Sequence, residues 1–493
     1  MGVRMGYVEG VDRQQQVLFP EALDDYVAPE NPVRVIDAFV RGLDMAELGF
    51  VRAMPASEGR PGFDPRDLLA LFIYGYLNRT RSSRRLERET HRNLEVIWLM
   101  RKLQPDHKTI SEFRRVHRKE LKGVVREFTL LCKALNLFGE SLVFIDGSKL
   151  RAVNNRDRNY SDPRLKKLLK RIDAHIQQYL AELDKTDAEE EGQSGATDNE
   201  LREKLAALQE RRELYTRYQQ ELKESGENQL SLTDPESRRM KMRGGTDVCY
   251  NAQIAVDPKH HLIVAHDVTN EVTDIEQLGP MALAAKEALG VETLEVAADR
   301  GYHNGAHVVV CEDNGITPYV PAPKTSKNDK KGLYTKEAFA YDPERDAYRC
   351  PSGEWLTHST QTMVGEREIR YYANRAACST CPIREKCTSS KDGRRISRAP
   401  EEAQVDAMRE RLRGRAELMV QRKSTVEHPF GTIKWTWDGG HFLLQGLEKV
   451  GAELSLSVLA YNLRRVINIV GVECLLEALK RRKISPNPVP AAP

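Results

Sequence analysis

Three acidic residues stand where a carboxylate could hold a divalent cation. Asp146 ends the apolar run SLVFID and is followed by Gly147. Asp299 ends LEVAAD, with Gly301 two positions on. Glu427 lies in RKSTVEHPFGTIK, among Arg422, Lys423 and Lys434. Both Asp residues read as sitting just past a short strand, at the carboxyl end of an α/β sheet where ligands bind. Two such carboxylates on neighbouring strands can share a hard cation such as Mg²⁺. A third carboxylate, Glu427, would hold a second ion. Two ions about 4 Å apart can activate water and stabilise a leaving oxygen in phosphodiester cleavage. Taken singly, an Asp that ends a strand is more often a turn former or helix cap. Residue chemistry alone also leaves Asp257, Asp267 and Asp274 as rivals. Arg300, Tyr302 and His303 adjoin Asp299 and could line the same site. Trp435 and Trp437 could stack on an unpaired base, although core packing is the commoner role.

A second constellation is sulfur-based. Cys350, Cys378, Cys381 and Cys387 follow the pattern C-x27-C-x2-C-x5-C, with Pro after Cys350 and Cys381. A C-x2-C pair with two more Cys nearby suits tetrahedral thiolate binding of Zn²⁺. Four ligands close such a site, so its role would be structural. Four unbound thiols or an iron–sulfur cluster are the alternatives. Cys132, Cys249, Cys311 and Cys474 are scattered in apolar settings and read as buried hydrophobes in a reducing compartment.

The elements that must position these residues are legible in outline. PRDLLALFIYGYLN predicts a buried helix from Pro65, and SEFRRVHRKELKGVVREF a single basic helix with Phe113, Val116, Leu121, Val124 and Phe128 on one face. A strand is expected to end at Asp146. Apolar stripes over 163–183 and 201–222, parted by the acidic stretch 184–200, predict an antiparallel helical hairpin. Strands then recur at 248–257 and 261–269. A helix over 274–290 would have Asp274 as N-cap and Gly290 as terminator. A strand into Asp299, a helix and a strand complete a mixed α/β sheet flanked by helices. The Cys-bearing segment spans 324–398; a broken helical region, a further striped helix and a Pro-rich, frayed end follow it.

The chain of 493 residues carries a formal charge of only +3. That near-neutrality argues against a nucleic-acid binder only if the charge is evenly spread. It is not: residues 79–126 hold fifteen Lys/Arg and six Asp/Glu, a local +9 (15 − 6). Arg84, Arg85, Lys108, Arg114, Arg115 and Arg118 in that stretch, and Arg422, Lys423 and Lys434 beside Glu427, are the candidate DNA contacts. Arg384, Lys386, Lys391, Arg394, Arg395 and Arg398 give the Cys segment a basic surface of its own. The longest apolar run, LLALFIYGYL, is too short to span a bilayer, and no export signal is expected at the start.

FIDGSKLRA, AADRGYHN and RKSTVEHPFGTIK resemble the three catalytic blocks of DDE transposases from bacterial insertion sequences. LFPEALDDYVAPENPVRVIDAFV, PGFDPRDLLALFIYGYLNRTRSSRRLERE, PDHKTISEFRR and FLLQGLEKVGAELSLSVLAYNLRR resemble the group numbered eleven-eighty-two. The resemblance covers about residues 7 to 470. It implies an all-α N-terminal DNA-binding domain (1–138) and an RNase H-like core (139–470). The core would be interrupted by the helical hairpin (160–226) and the Cys-rich insertion (324–398), and followed by a tail (471–493). It also implies a triad of Asp146, Asp299 and Glu427 binding two Mg²⁺ or Mn²⁺ ions. The spacings are 153 (299 − 146) and 128 (427 − 299). The wider superfamily places Tyr, Arg and Lys around the glutamate. Here Lys434 matches, but Lys423 stands at the Arg position and Val420 at the Tyr position. The implied partners are double-stranded DNA, as terminal inverted repeats and target, and a second copy of the chain. The implied place is the bacterial cytoplasm at the nucleoid. A metal-dependent nuclease without strand transfer, or an idle transposase-derived DNA-binding protein, are the rival readings.

Overall fold

The computed structural model describes residues 22–54, 62–189, 195–242, 244–323, 328, 331–365, 367–436 and 440–484. Trp437 and the Pro-rich end 485–493 lie outside them. The chain divides into two compact units: one runs to Phe128 and resumes at Ser455, the other is Thr129–Leu454. Both boundaries differ from the expected 138 and 470.

The first unit is helical. Its helices are α1 (Pro32–Arg41), α2 (Pro65–Leu77), α3 (Ser83–Arg92), α4 (Leu94–Leu99), α5 (His107–Val116) and the start of α6 (Glu120–Ala134). Helix α2 starts as expected: Asp64 caps it by accepting from the Arg66 amide, and Pro65 occupies the first turn. It is buried nearly all round, which explains a run with no polar face. The single basic helix expected after residue 111 is two helices. The chain turns at His117, whose ring packs 4.8 Å from Phe50 and 4.7 Å from Phe113. That contact turns Val116 outward, to 40% exposure. The Asp67 carboxylate, 1% exposed, accepts from Arg41 and from Arg101 Nη2 at 2.9 and 2.7 Å. Asp67→Ala removes the charge-assisted bonds of a buried carboxylate to both arginines. We expect a loss of about 2–3 kcal/mol, read as a lower denaturant midpoint for the full chain.

The second unit is built on a six-stranded sheet. Its strands are β1 (Leu142–Arg151), β4 (Arg238–Met242), β5 (Gly245–Val256), β6 (Ile263–Thr269), β7 (Leu294–Ala298) and β8 (Ile316–Tyr319). Two short strands, β2 (Asn159–Tyr160) and β3 (Leu230–Ser231), pair separately. Neighbours run β4-β5-β1-β7-β8, with β6 also on β5. The β1–β5, β4–β5 and β5–β6 pairs are antiparallel; β1–β7 and β7–β8 are parallel. Between β2 and β3 run α7 (Asp162–Glu189) and α8 (Gly195–Ser225). Asp173 meets Arg212 and Asp162 meets Gln219, so the two helices are antiparallel. They reach deep into the stretch expected to be an acidic break. Their core gathers at the base, where Tyr160, Leu165 and Leu222 are buried.

Helix α9 (Leu278–Leu289) packs on β5 and β6, and α10 (Gly305–Asp313) on β8. Gly290 terminates α9 at φ +60, as expected. A second sheet follows: β9 (Ala340–Asp342), β10 (Ala347–Arg349), β11 (Trp355–Val364), β12 (Arg367–Ala373) and β13 (Arg395–Arg398), all antiparallel. Between its last two strands lie the short helices α11 (Arg375–Ser379) and α12 (Arg384–Cys387). Phe339, Tyr348, Leu356, Tyr372, Cys387 and Ile396 form its core. Helix α13 (Glu402–Arg413) contacts β8, and α14 (Glu417–Thr436) lies on β1 and β7. Just before α14, Arg415 Nη1 donates to both Glu295 carboxylate oxygens at 2.7 Å, pinning the helix start to β7. Helix α15 (Leu447–Val470) carries the chain back to the first unit. There α16 (Val472–Ile484), within the expected tail 471–493, packs against α1.

Candidate active site

Asp146 and Asp299 are brought side by side by one parallel ladder. Its last pair is Ile145 with Ala298, so the two aspartates are the next residue on each strand. The strand expected to end at Asp146 instead continues to Arg151, because β5 goes on pairing with it; Asp146 itself faces Ile254 there. What ends at Asp146 is the β7 side alone. That leaves the carboxylate within a strand yet beside an open edge. Asp299 folds into a tight turn, its Oδ1 accepting from the Gly301 amide at 2.7 Å. Asp146 Oδ1 accepts from the Gly147 amide at 3.0 Å.

The electrostatics are those of an anionic site short of positive charge. Burial raises the Asp146 pKa to about 6, against the opposing pull of Arg422; Asp299 and Asp274 push it up further. Arg422 Nη1 lies 3.5 Å from Asp146 Oδ1 and has no hydrogen-bond partner. Lys434 also feels the Asp146 charge, which opposes the lowering of its pKa by burial.

Glu427 is carried by the same helix as Arg422 and Lys434. It is five positions after Arg422 on α14, about 140° around the helix from it. Its side chain is 65% exposed and stands 4.0 Å from Lys423, itself 72% exposed. The third carboxylate beside Asp146 and Asp299 is Asp274. Sequence reasoning read it as the cap of α9, but that helix starts at Leu278 with Gln277 as its N-cap. Asp274 Oδ1 accepts instead from Lys149 Nζ at 2.9 Å, Asn251 Nδ2 at 2.6 Å and Gln253 Nε2 at 2.8 Å. A signal was present in two polar residues, Asn251 and Gln253, inside the apolar strand CYNAQIAV. Of the other rivals, Asp257 is buried and accepts from the amides of Gly139 and Lys259, and Asp267 is exposed on β6. Among the described residues, no three His, Cys, Asp or Glu side chains are set closely enough to hold a metal ion as they stand.

His303 is half-buried with its Nε2 unpartnered, and burial, aided by Arg409, lowers its pKa. Trp435 is 71% exposed, so core packing is not its role. In the first unit Arg84, Arg85 and Lys108 are exposed. Arg115 is paired with Glu112, and Arg118 Nε donates to the Arg115 carbonyl at 2.6 Å. Arg114 does not stand on that surface. It is buried, with Nη1 3.3 Å from the Tyr76 hydroxyl and its guanidinium over the Phe72 ring.

Residues 349–467 match the family model of the transposase DDE domain, and residues 21–116 match a second transposase domain model, DUF772. Two separate stretches of the chain are thus similar to parts of DDE transposases. The transposase DDE domain that residues 349–467 match indicates an enzyme that cuts and rejoins DNA. The first match contains Glu427, Lys434 and all four clustered Cys; Asp146 and Asp299 lie outside both matches. No curated protein matches the chain. Among solved structures, a piggyBac transposase synaptic complex with hairpin DNA, determined by cryo-electron microscopy, is similar at 8% identity. That match covers 92% of this chain and 79% of the other, with a TM-score of 0.31.

The clustered cysteines line one small cavity, of about 20 Å³, in the second sheet's core. That is room for roughly one water-sized occupant. Burial raises the Cys387 pKa; Arg394 opposes this, and the charges of Cys378, Cys350 and Cys381 add to it. The four sulfurs therefore sit within one another's field, with one guanidinium as counter-charge. The remaining cysteines split: Cys132, Cys249 and Cys311 are buried as expected, but Cys474 is exposed.

Proposed function

We propose that this transposase mobilises a bacterial insertion sequence of the group numbered eleven-eighty-two. It would bind the element's terminal inverted repeats, cut at their ends and join the freed 3′-OH to target DNA. The observation that carries the reading is the side-by-side placement of Asp146 and Asp299 where the β1–β7 ladder ends. Three antiparallel strands followed by two parallel ones support an RNase H-like core.

The residues fit a divalent cation. A half-buried carboxylate with a raised pKa beside a second carboxylate lacks positive charge, which Mg²⁺ or Mn²⁺ supplies. Asp146 and Asp299 would hold two such ions, with Glu427 as third carboxylate from α14. When bound, the ions activate the attacking oxygen and stabilise the leaving one. Arg422, Lys423 and Lys434 on α14 would meet phosphates, Arg422 exchanging its contact with Asp146 for one with DNA. Arg84, Arg85, Lys108, Arg115 and Arg118 would contribute to holding the end sequence. Four thiolates of Cys350, Cys378, Cys381 and Cys387 would hold a structural Zn²⁺. Two ends cut together require two protomers, so a homodimer on DNA is the working form, in the bacterial cytoplasm at the nucleoid.

The test is incubation of the purified chain with Mg²⁺, element-end DNA and a supercoiled target. Joined products are expected. Nicked ends without joining would instead support a nuclease; end-specific binding without any cutting would support an idle DNA-binding protein.

A further inference from the structure

Resting on the reading of Asp146 and Asp299 as the cation-holding pair, we propose that Asp274, Gln253 and Tyr302 form a positioning unit that sets the spacing of those two carboxylates. None of the three is proposed to touch DNA or metal.

The chain of contacts runs from one aspartate to the other. Asp299 caps the turn Arg300–Tyr302. Tyr302, fully buried three residues later, donates its hydroxyl to Gln253 Oε1. Gln253 Nε2 donates to Asp274 Oδ1, which also takes Asn251 and Lys149. Lys149 lies on β1, three residues after Asp146. Gln253 faces Gly147 across the β1–β5 ladder, next to the Asp146–Ile254 pair. The network therefore ties both aspartate-bearing segments to one fixed carboxylate.

Gly147 shows how closely the unit lies against Asp146. A Cβ there would clash with Gln253 Nε2 and stand 2.7 Å from Asp274 Oδ1 and 3.0 Å from the Tyr302 hydroxyl. A strand needing only stability would bury apolar groups at 251 and 253, because a polar network is worth its desolvation only when every member is satisfied. Here it joins the two segments that carry the aspartates to Asp274. Partners of this kind orient ligands without coordinating the ion themselves.

The experiment measures Mn²⁺ binding to the full chain without DNA, by loss of the free-ion electron paramagnetic resonance signal. Parent, Asp274→Asn, Tyr302→Phe and Asp146→Ala proteins are compared. Metal dependence of end cleavage and the unfolding midpoint are measured alongside. Asp274→Asn and Tyr302→Phe are expected to bind Mn²⁺ roughly 10–100-fold more weakly. Their cleavage should recover toward the parent rate at saturating Mn²⁺, a split that a merely destabilised fold would not give. Parental Mn²⁺ affinity in folded Asp274→Asn and Tyr302→Phe proteins would overturn the inference. Should Asp274→Asn not fold, Tyr302→Phe, which deletes one hydroxyl, decides alone. Parental binding and cutting by Asp146→Ala would instead overturn the underlying reading of the site.

Discussion

Asp146→Asn is expected to make the metal-free protein more stable while removing DNA cleavage. Burial, with Asp299 and Asp274, holds the Asp146 pKa at about 6, above the ordinary carboxylate value of 3.8. The folded state thus binds this proton more tightly than the unfolded one. Its contribution is present at low pH and is lost as pH rises from about 4 through about 6. At pH 8 the charged form is a net penalty of about 1–3 kcal/mol, at 1.36 kcal/mol per pKa unit. Asparagine has the shape without the charge. In chelator, the variant's melting temperature should exceed the parent's at pH 8 and converge with it near pH 4. Added Mg²⁺ should stabilise the parent and leave the variant unmoved. Losing a ligand carboxylate removes several kcal/mol of transition-state stabilisation, about a thousandfold or more in rate. Asp299→Ala should lose cleavage equally. Parental cutting by either variant would remove the pair from the mechanism.

The second large effect concerns the sulfur cluster. One Zn²⁺ per chain is expected by metal analysis of protein purified without chelator. Apparent zinc binding energies in small domains reach about 10 kcal/mol or more at neutral pH. Cys387 lies in the small core of the second sheet, and Cys350 packs against it. Chelation or Cys378→Ser should therefore expose residues 331–398 to protease and abolish end joining. Cys474→Ser, at an exposed position in the other unit, should keep the metal. A metal-free chain with four titratable thiols and a melting curve indifferent to chelator would refute the site.

How far the sequence revealed this arrangement depends on the range of the forces involved. Helix α2 was legible because a Pro start, an Asp cap and an apolar run are local signals. Strands β1 and β5 to β8, with α9 and α10, were legible for the same reason, and so were the helices of the hairpin; β2, β3, β4 and the second sheet were not. The strand carrying Asp146 was misjudged at its end: its continuation to Arg151 is set by β5, a hundred residues away. Asp274 was mistaken for a cap because its three donors come from two other strands. Arg114 looked like its exposed neighbours, yet helix phase turns it onto Phe72 and Tyr76. Glu427 is legible only through its motif, and α14 sets it 65% exposed beside Lys423.

The small β2–β3 ladder at the foot of the helical hairpin bears on how the chain folds. Pairing Leu150 with Tyr250 directly would close a loop of 100 residues (250 − 150). Helices α7 and α8 can form and dock locally first, and the Asn159–Ser231 pair then holds their ends together. The remaining path from Arg151 to Cys249 shrinks to about thirty residues, which lowers the closure entropy by about 1 kcal/mol. A lengthy insertion between the first two strands of the central sheet would then be kinetically cheap. Its length could drift over generations without disturbing the register that sets Asp146 opposite Ile254.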